Sequence, residues 1–329
     1  MRIILAPMEG LVDAPIRETL TKVGGIDRCV TEFIRVTHNL LPPRVFYKFA
    51  PELYNQSLTQ VGTPVAIQLL GSDPEEMGRN GQRAVELGAT QVDINFGCPA
   101  KTVNRHKGGC VLMREPELMH NITAAVRKAL PAHVLVTAKM RLGYDDRSMG
   151  VACAQALEAA GAEEIVIHAR SKVDGYKPPA YWEEIARARD AVKAKVIANG
   201  EIWTVADYWR CREVSGCEDV MIGRGLIARP DLARKIKASQ QGVEVVDMTW
   251  PEAVVLVREY AEVLQGWLED RYVTGRIKQW LNFLRQAFPE AQALWAQARK
   301  IREVAPMLAC LEQPGLASVS ETKVAVQAA

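Results

Sequence analysis

The sequence predicts an α/β protein, a (β/α)8 TIM barrel followed by a smaller all-helical domain. Three observations carry that prediction. Short runs rich in Val and Ile alternate eight times with amphipathic helical patterns over roughly the first 240 residues. Nearly every run ends in a residue with chemical capacity, and a barrel brings all its strand ends to one mouth. Beyond residue 250 the strand signal stops, and Leu, Val and Trp recur at three- and four-residue spacing. A doubly wound open sheet shares this periodicity but would scatter the polar strand ends along an edge.

In chain order the strands fall near Ile3–Ala6, Cys29–Phe33, Val65–Leu69, Gln91–Asn95, Val134–Met140, Glu164–His168, Lys195–Asn199 and Asp219–Ile222. Runs apolar on both faces suit parallel strands covered by helices. Between them Pro74–Leu87, Pro116–Ala129, Ser148–Ala160 and Val205–Ser215 read as helices. Asp73 caps the first of these with Pro74 in its first turn, and Gly88, Gly161 and Gly216 stand just past helical runs as stops. Pro230–Ser239 ends the barrel, and Gln240–Thr249 is a polar connector. The expected division is a catalytic barrel over 1–240, a helical domain over 250–312 and a small, polar, frayed tail over 313–329.

Composition narrows the class. An apolar fraction of 48% with 24% charged residues is that of a globular chain rather than a disordered one. The opening Ile3-Ile4-Leu5-Ala6 is too short for a signal-peptide core, and no apolar run reaches the ~18 residues of a membrane span. Seven scattered cysteines, odd in number and without CxxC spacing, suit reduced thiols in a cytoplasm better than a disulfide framework or a metal site. Net charge is only +2, so nucleic-acid binding has to come from a local patch. No obligate protein partner is implied.

The densest chemistry lies in Asp93-Ile94-Asn95-Phe96-Gly97-Cys98-Pro99, ahead of a loop carrying Lys101, Arg105, His106 and Lys107. A strand breaks at Gly97 and presents a thiol just past the break. Taken alone, that thiol suits a nucleophile, a metal ligand or an acid, although His106 and Cys110 lack metal-ligand spacing. The seventh and eighth strand ends read Asn199-Gly200-Glu201 and Gly223-Arg224-Gly225. Glycines there let backbone N–H groups approach an anion, the next helix start adds its dipole, and barrels commonly hold phosphate at this pair of loops. Gln68, Lys139 and His168 share the mouth. A glutamine amide matches the donor-acceptor edge of a flavin's pyrimidine ring, and a lysine neutralises charge on the reduced ring. Together with the phosphate loops they suggest flavin mononucleotide (FMN).

These residues resemble the tRNA-dihydrouridine synthase family. The resemblance rests on Ala6-Pro7-Met8-Glu9-Gly10, Asn95-Phe96-Gly97-Cys98-Pro99 with Lys101 and Val103, Lys139-Met140-Arg141, His168-Ala169-Arg170, Asn199-Gly200 and Gly223-Arg224, in order along nearly the whole chain. Thr31-Glu32-Phe33, Asn199-Gly200-Glu201-Ile202-Trp203 and Arg276-Ile277-Lys278-Gln279-Trp280-Leu281 are most similar to the bacterial subfamily C, which acts on uridine 16 of the tRNA D-loop. The resemblance implies FMN held by Pro7, Met8, Glu9, Gln68, Lys139, His168, Asn199, Gly200, Glu201, Gly223 and Arg224. It implies NADPH as a transient reductant and tRNA as substrate. Cys98 would donate a proton, Asn95 would contact the target nucleotide, and Arg35, Arg276, Lys278 and Arg299 would orient the tRNA. Lys101, in the basic loop, and Arg141, at the fifth strand end, complete the substrate-facing set. Two departures stand out: Phe283 where a tyrosine is expected, and Cys110 where a smaller residue is expected, adding a second thiol near the site.

The chemistry is consistent with those roles. Carbon 6 of uridine is conjugated to the carbon-4 carbonyl, so hydride adds there and carbon 5 then needs a proton. A thiol with a pKa of about 8.5 is mostly protonated at neutral pH and can supply one. Residues 271–302 hold Arg271, Arg276, Lys278, Arg285, Arg299, Lys300 and Arg302 against the single acid Glu290, with Trp280, Phe283 and Trp295 interleaved. Such a surface suits RNA. A dihydroorotate-type flavin barrel would share the phosphate loops but has no need of this basic helical stretch. An RNA-binding barrel without chemistry would have no need of Cys98, Lys139 and His168.

Overall fold

The computed structural model describes residues 1–312, so the expected tail over 313–329 lies outside the described residues. Its strands are β1 (Ile3–Leu5), β2 (Arg28–Val30), β3 (Ile34–Arg35), β4 (Val65–Leu70), β5 (Gln91–Phe96), β6 (Leu135–Arg141), β7 (Glu164–His168), β8 (Lys195–Asn199) and β9 (Val220–Ile222). All pair in parallel, in the order β2-β1-β9-β8-β7-β6-β5-β4-β3, and a β2–β4 pairing closes the ring. With β3 only extending the ladder on β4, eight staves remain. This is the (β/α)8 barrel that the strand count predicts.

Alternation along each strand decides what faces the axis. Ile4, Ala6, Val30, Ala66, Val166, Ile197 and Met221 form a small apolar cluster of their own inside the ring. Their neighbours along the strands, such as Ile3, Ile67, Val92 and Ile165, join the large core shared with the helices. Beyond Ala66 on β4, and on β5 and β6, inward positions are polar instead: Gln68, Asp93, Asn95, Thr137 and Lys139 bond to one another or across to β8.

Several expected bounds move by a residue, and two move further for local reasons. The second strand stops at Val30 rather than Phe33, because the backbone N–H of Gln68 donates to the Thr31 hydroxyl (3.0 Å) instead of a backbone carbonyl. Pairing resumes at β3, against Leu69 and Leu70. The helix expected from Ser148 starts at Gly150, because the Asp146 carboxylate holds the Ser148 N–H (2.8 Å) and hydroxyl (2.6 Å) in a turn.

The helices are α1 (Ala14–Val23), α2 (Pro43–Phe49), α3 (Pro74–Glu86), α4 (Lys101–Arg105), α5 (Pro116–Ala129), α6 (Gly150–Ala159), α7 (Trp182–Asp190), α8 (Val205–Ser215), α9 (Arg224–Ala228) and α10 (Leu232–Gln240). Asp73 caps α3 as expected, accepting from the N–H groups of Glu75 and Glu76. After the connector come α11 (Trp250–Trp267), α12 (Asp270–Leu284), α13 (Ala291–Ala298) and α14 (Val304–Leu311). A reciprocal cap between Thr249 and Glu252 starts α11.

These last helices rest on the barrel: α11 packs on α1, and α12 on α9. Trp280 is fully buried at the junction, donates from Nε1 to the Ile227 carbonyl (3.0 Å) and meets Tyr260 edge-on at 5.1 Å. Trp280→Ala is therefore expected to lower stability by about 3–5 kcal/mol, read as a fall in the urea midpoint. A change below about 1 kcal/mol would show that this contact does not hold the helices down. No helix among the described residues is long and apolar enough to cross a membrane.

Candidate active site

The C-terminal strand ends surround a cavity of about 550 Å3, within the usual range for small-molecule sites. It gathers Pro7, Met8 and Glu9 after β1, Gln68 from β4, Asn95 and Cys98 at the end of β5, and Lys139 and Arg141 from β6. His168 follows from β7, Asn199, Gly200 and Glu201 from β8, and Gly223 and Arg224 from β9. α12 adds Gln279 and Phe283, so the helical region forms part of the wall. Every residue that the resemblance assigns to the cofactor lines this one cavity.

The thiol sits on a heavily fastened loop. The Asn95 side-chain oxygen accepts from the N–H groups of Gly97 and Cys98, both at 2.9 Å. The Cys98 carbonyl accepts from Asn104 Nδ2 (2.8 Å) and from the Cys110 N–H (3.0 Å). Arg141 donates to the carbonyls of Gly97 (2.9 Å), Ser171 and Gly175, which ties β6 to the thiol loop and to the loop after β7. Gly109 has a φ of +66°, and a Cβ there would stand 2.8 Å from the Cys98 carbonyl oxygen, so only glycine fits. Burial pushes the Cys98 thiol up, and Glu9 adds to this against the Ala100 N–H and the Arg141 and Lys139 cations. The sulfur is held as a thiol.

Cys110 is the second thiol expected near the site, but its side chain stays out of the cavity. It is fully buried, its Sγ lies 3.5 Å from the Gly143 carbonyl, and it is absent from the cavity lining. Its backbone fastens Cys98 while its side chain turns into the core. Burial pushes it up to about 12.

Lys139, half-buried, and His168, buried, stand against other cations. Burial first, then Arg141, pulls Lys139 down to about 8, while Asp93 holds it up. Its Nζ donates to Asn199 Oδ1 at 3.1 Å. His168 falls well below its ordinary value through burial and the charges of Arg141, Lys139, Arg170 and Arg224, so the ring is neutral. Its Nδ1 is buried without a partner. Glu201, at a left-handed φ of +55°, bridges Arg170 (3.1 Å) and Arg224 (2.7 Å). The Arg224 guanidinium is thus ion-paired and lies between the rings of Tyr176 (5.2 Å) and Trp203 (5.0 Å).

The remaining expected residues lie outside this cavity. Arg35 lines a neighbouring hollow of about 340 Å3 with Glu9, Phe33 and Thr102. Lys101 is exposed at the start of α4, Lys278 half-buried on α12, and Arg299 exposed just past α13. Arg276 turns onto the barrel, where it donates to the Gly10 carbonyl and pairs with Asp13 at 3.8 Å. Sequence reasoning missed Tyr176, which faces Arg141 at 5.0 Å from an irregular loop that carries no pattern. It also passed over Asp93, although the alternation of β5 places it inward.

Fold and site together define a (β/α)8-barrel enzyme whose mouth joins a protonated thiol, a half-buried lysine and a histidine with an unpartnered Nδ1. A solved barrel, a mutant of morphinone reductase in complex with tetrahydroNAD, superimposes with a TM-score of 0.50 over 72% of this chain and 86% of its own, at 15% identity, a likeness of fold alone. The profile of the Dihydrouridine synthase (Dus) family matches residues 4–319, and the chain belongs to that family. A tRNA-dihydrouridine(16) synthase from Pseudomonas syringae pv. tomato is 55% identical over 300 residues, covering 91% of this chain and 95% of its own. Those from Ralstonia nicotianae (48%, covering 94% and 95%) and Shewanella oneidensis (47%, covering 95% and 98%) are similar over comparable lengths.

Proposed function

We propose that the protein reduces the C5=C6 bond of uridine 16 in the tRNA D-loop to dihydrouridine, with FMN as bound cofactor, NADPH as reductant and the cytoplasm as its place of work. The observation that carries the reading is the Cys98 thiol, kept protonated by burial, opening onto the same cavity as Gln68, Lys139 and His168. The barrel over 1–240 carries the chemistry, and the helices over 250–312 hold the RNA. Purified protein given NADPH and unmodified tRNA is expected to yield dihydrouridine at position 16. Sequencing that finds no dihydrouridine, or finds it at another position, refutes the assignment.

The residues present suit the cofactor. The cavity has room for a flat ring with a phosphate arm, and the buried His168 Nδ1 lacks a protein partner. Gly223 leaves open a space where a Cβ would stand 3.2 Å from Met8 Sδ. Pro7, Met8, Glu9, Gln68, Lys139 and His168 would hold the ring, and Asn199, Gly200, Glu201, Gly223 and Arg224 the phosphate arm. Reduced flavin, when bound, supplies hydride to uracil carbon 6. Cys98 gives its proton to carbon 5, and Asn95 beside it contacts the target base. Lys139 would set its positive charge against the negative charge of the reduced ring, and Arg141 holds the thiol loop against the wall. The uracil reaches this mouth by leaving the RNA stack, as base-modifying enzymes require. Arg35, Lys101, Arg276, Lys278, Phe283 and Arg299 orient the tRNA around it.

The pH dependence follows from two shifts of opposite sign. A lysine is charged below its pKa, and that of Lys139 lies at about 8. The thiol of Cys98 is raised above its ordinary value and so gives up its proton at higher pH than an unperturbed thiol. Product formation by pre-reduced protein is therefore expected to fall as pH rises from about 7 to about 9, through loss of the Lys139 cation rather than of the acid. A flat single-turnover profile across that window contradicts the role given to Lys139.

A further inference from the structure

We propose that Asp93 is a positioning residue for Cys98, a buried acceptor on which two hydrogen-bond chains converge, one of them fixing the thiol loop. The proposal deepens the reading of Cys98 as the acid and rests on it.

The first chain starts at the thiol. The backbone N–H groups of Gly97 and Cys98 can only donate, so Asn95 must turn its oxygen to them. That leaves Asn95 Nδ2 facing Gln68, where it donates to Oε1 at 2.7 Å. Gln68 in turn must face residue 93 with its Nε2, which donates to Asp93 Oδ2 at 2.7 Å.

The second chain climbs from the barrel floor. The Arg28 guanidinium can only donate, and its Nη1 reaches Gln91 Oε1 at 3.1 Å. Gln91 Nε2 donates to the Thr137 hydroxyl (3.2 Å), whose O–H donates in turn to Asp93 Oδ1 at 2.6 Å. Residue 93 therefore has to accept from both sides at once. A carboxylate does this with its two oxygens, whereas an amide would set a donor against a donor on one side.

Burial makes the arrangement binding. Asp93 is 1% exposed and Gln68 fully buried, so water cannot replace a lost partner. Asp93 does not line the cavity, so its hold on the thiol loop travels through Gln68 and Asn95, while its charge separately supports Lys139, and Cys98 labelling reads the first effect alone.

The test compares full-length wild type, Asp93→Asn and Asp93→Ala by the rate at which iodoacetamide labels each cysteine, read by peptide mass spectrometry. Asp93→Ala is expected to raise labelling of Cys98 about tenfold while Cys29, Cys153 and Cys211 stay unchanged. Asp93→Asn should lie between the two, because its carbonyl still accepts from Gln68. Single-turnover dihydrouridine formation should fall about tenfold or more in Asp93→Ala with tRNA affinity unchanged. Unchanged Cys98 labelling, an equal effect of Asn and Ala, or a rise at all cysteines together overturns the proposal. Should Asp93→Ala fail to fold, Gln68→Met cuts the same chain one link nearer the thiol, and absence of the Cys98 rise there overturns it equally. Labelling needs no tRNA. A wild type that makes no dihydrouridine refutes the functional reading, while the labelling comparison still decides the role of Asp93.

Discussion

Cys98→Ala is expected to retain flavin and oxidise NADPH while forming dihydrouridine at least about a hundredfold more slowly than wild type. A positioned general acid contributes about 10²–10⁴ to a proton-transfer step, and water from an RNA-covered mouth is a poor substitute. The variant is a clean probe because the loop is held by backbone groups. Asn95 bonds the Cys98 N–H, and Asn104 and Cys110 bond its carbonyl, so removing Sγ breaks none of these contacts. Nucleoside mass spectrometry of treated tRNA gives the rate, and the visible flavin band gives the cofactor content. Product at near wild-type rate would remove Cys98 from the mechanism.

Reversing Lys278 and Arg299 together, each to Glu, is expected to weaken tRNA binding about a hundredfold at moderate salt and to flatten the dependence of log K on log salt, since two phosphate partners become repulsive. Neither residue lines the cavity, so flavin content should not change. Arg299 stands over Trp295 at 5.2 Å, and Arg285 over the same ring at 4.3 Å, which fixes a cationic edge on this surface. Filter binding at several salt concentrations checks the expectation, and unchanged affinity would move the RNA surface elsewhere. Arg276 is a worse probe of the same idea. Its guanidinium is engaged with the Gly10 carbonyl and Asp13, so reversing it would also disturb the loop that carries Pro7, Met8 and Glu9.

The strand ends were the most legible part of the chain, for a physical reason. Parallel strands buried on both sides are short apolar runs, and a polar residue at the end of one is costly unless it works. That is why β7 and β8 have the bounds that their sequence predicts, and why the residues assigned to the cofactor meet at one cavity. Contacts made at long range were not legible. The short helices α1 and α7 carry too few apolar residues for their period to stand out, and α1 is set instead by the Asp13 side chain capping at Ile16. The docking of Arg276 on the barrel and the inward turn of the Cys110 side chain depend on packing between segments that are distant in sequence. Asp93 stood in plain view beside Asn95, but the two donor chains that meet on it come from β2, β4, β5 and β6, and no single stretch records them.

The raised thiol has a consequence for how long the protein lasts. Peroxide attacks the thiolate and not the thiol, and the first step of oxidation toward sulfenic acid follows thiolate content and access. Cys98 is only 8% exposed and is pushed toward the thiol form, while burial takes Cys29, Cys110, Cys153 and Cys211 to about 12. Most thiol-dependent catalysts need an anionic sulfur and are spent by oxidants at a rate set by that need. On the role proposed for it, a sulfur that keeps its proton until a base is presented escapes that trade, so Cys98 should be oxidised only slowly in air although it is the most exposed of the seven cysteines.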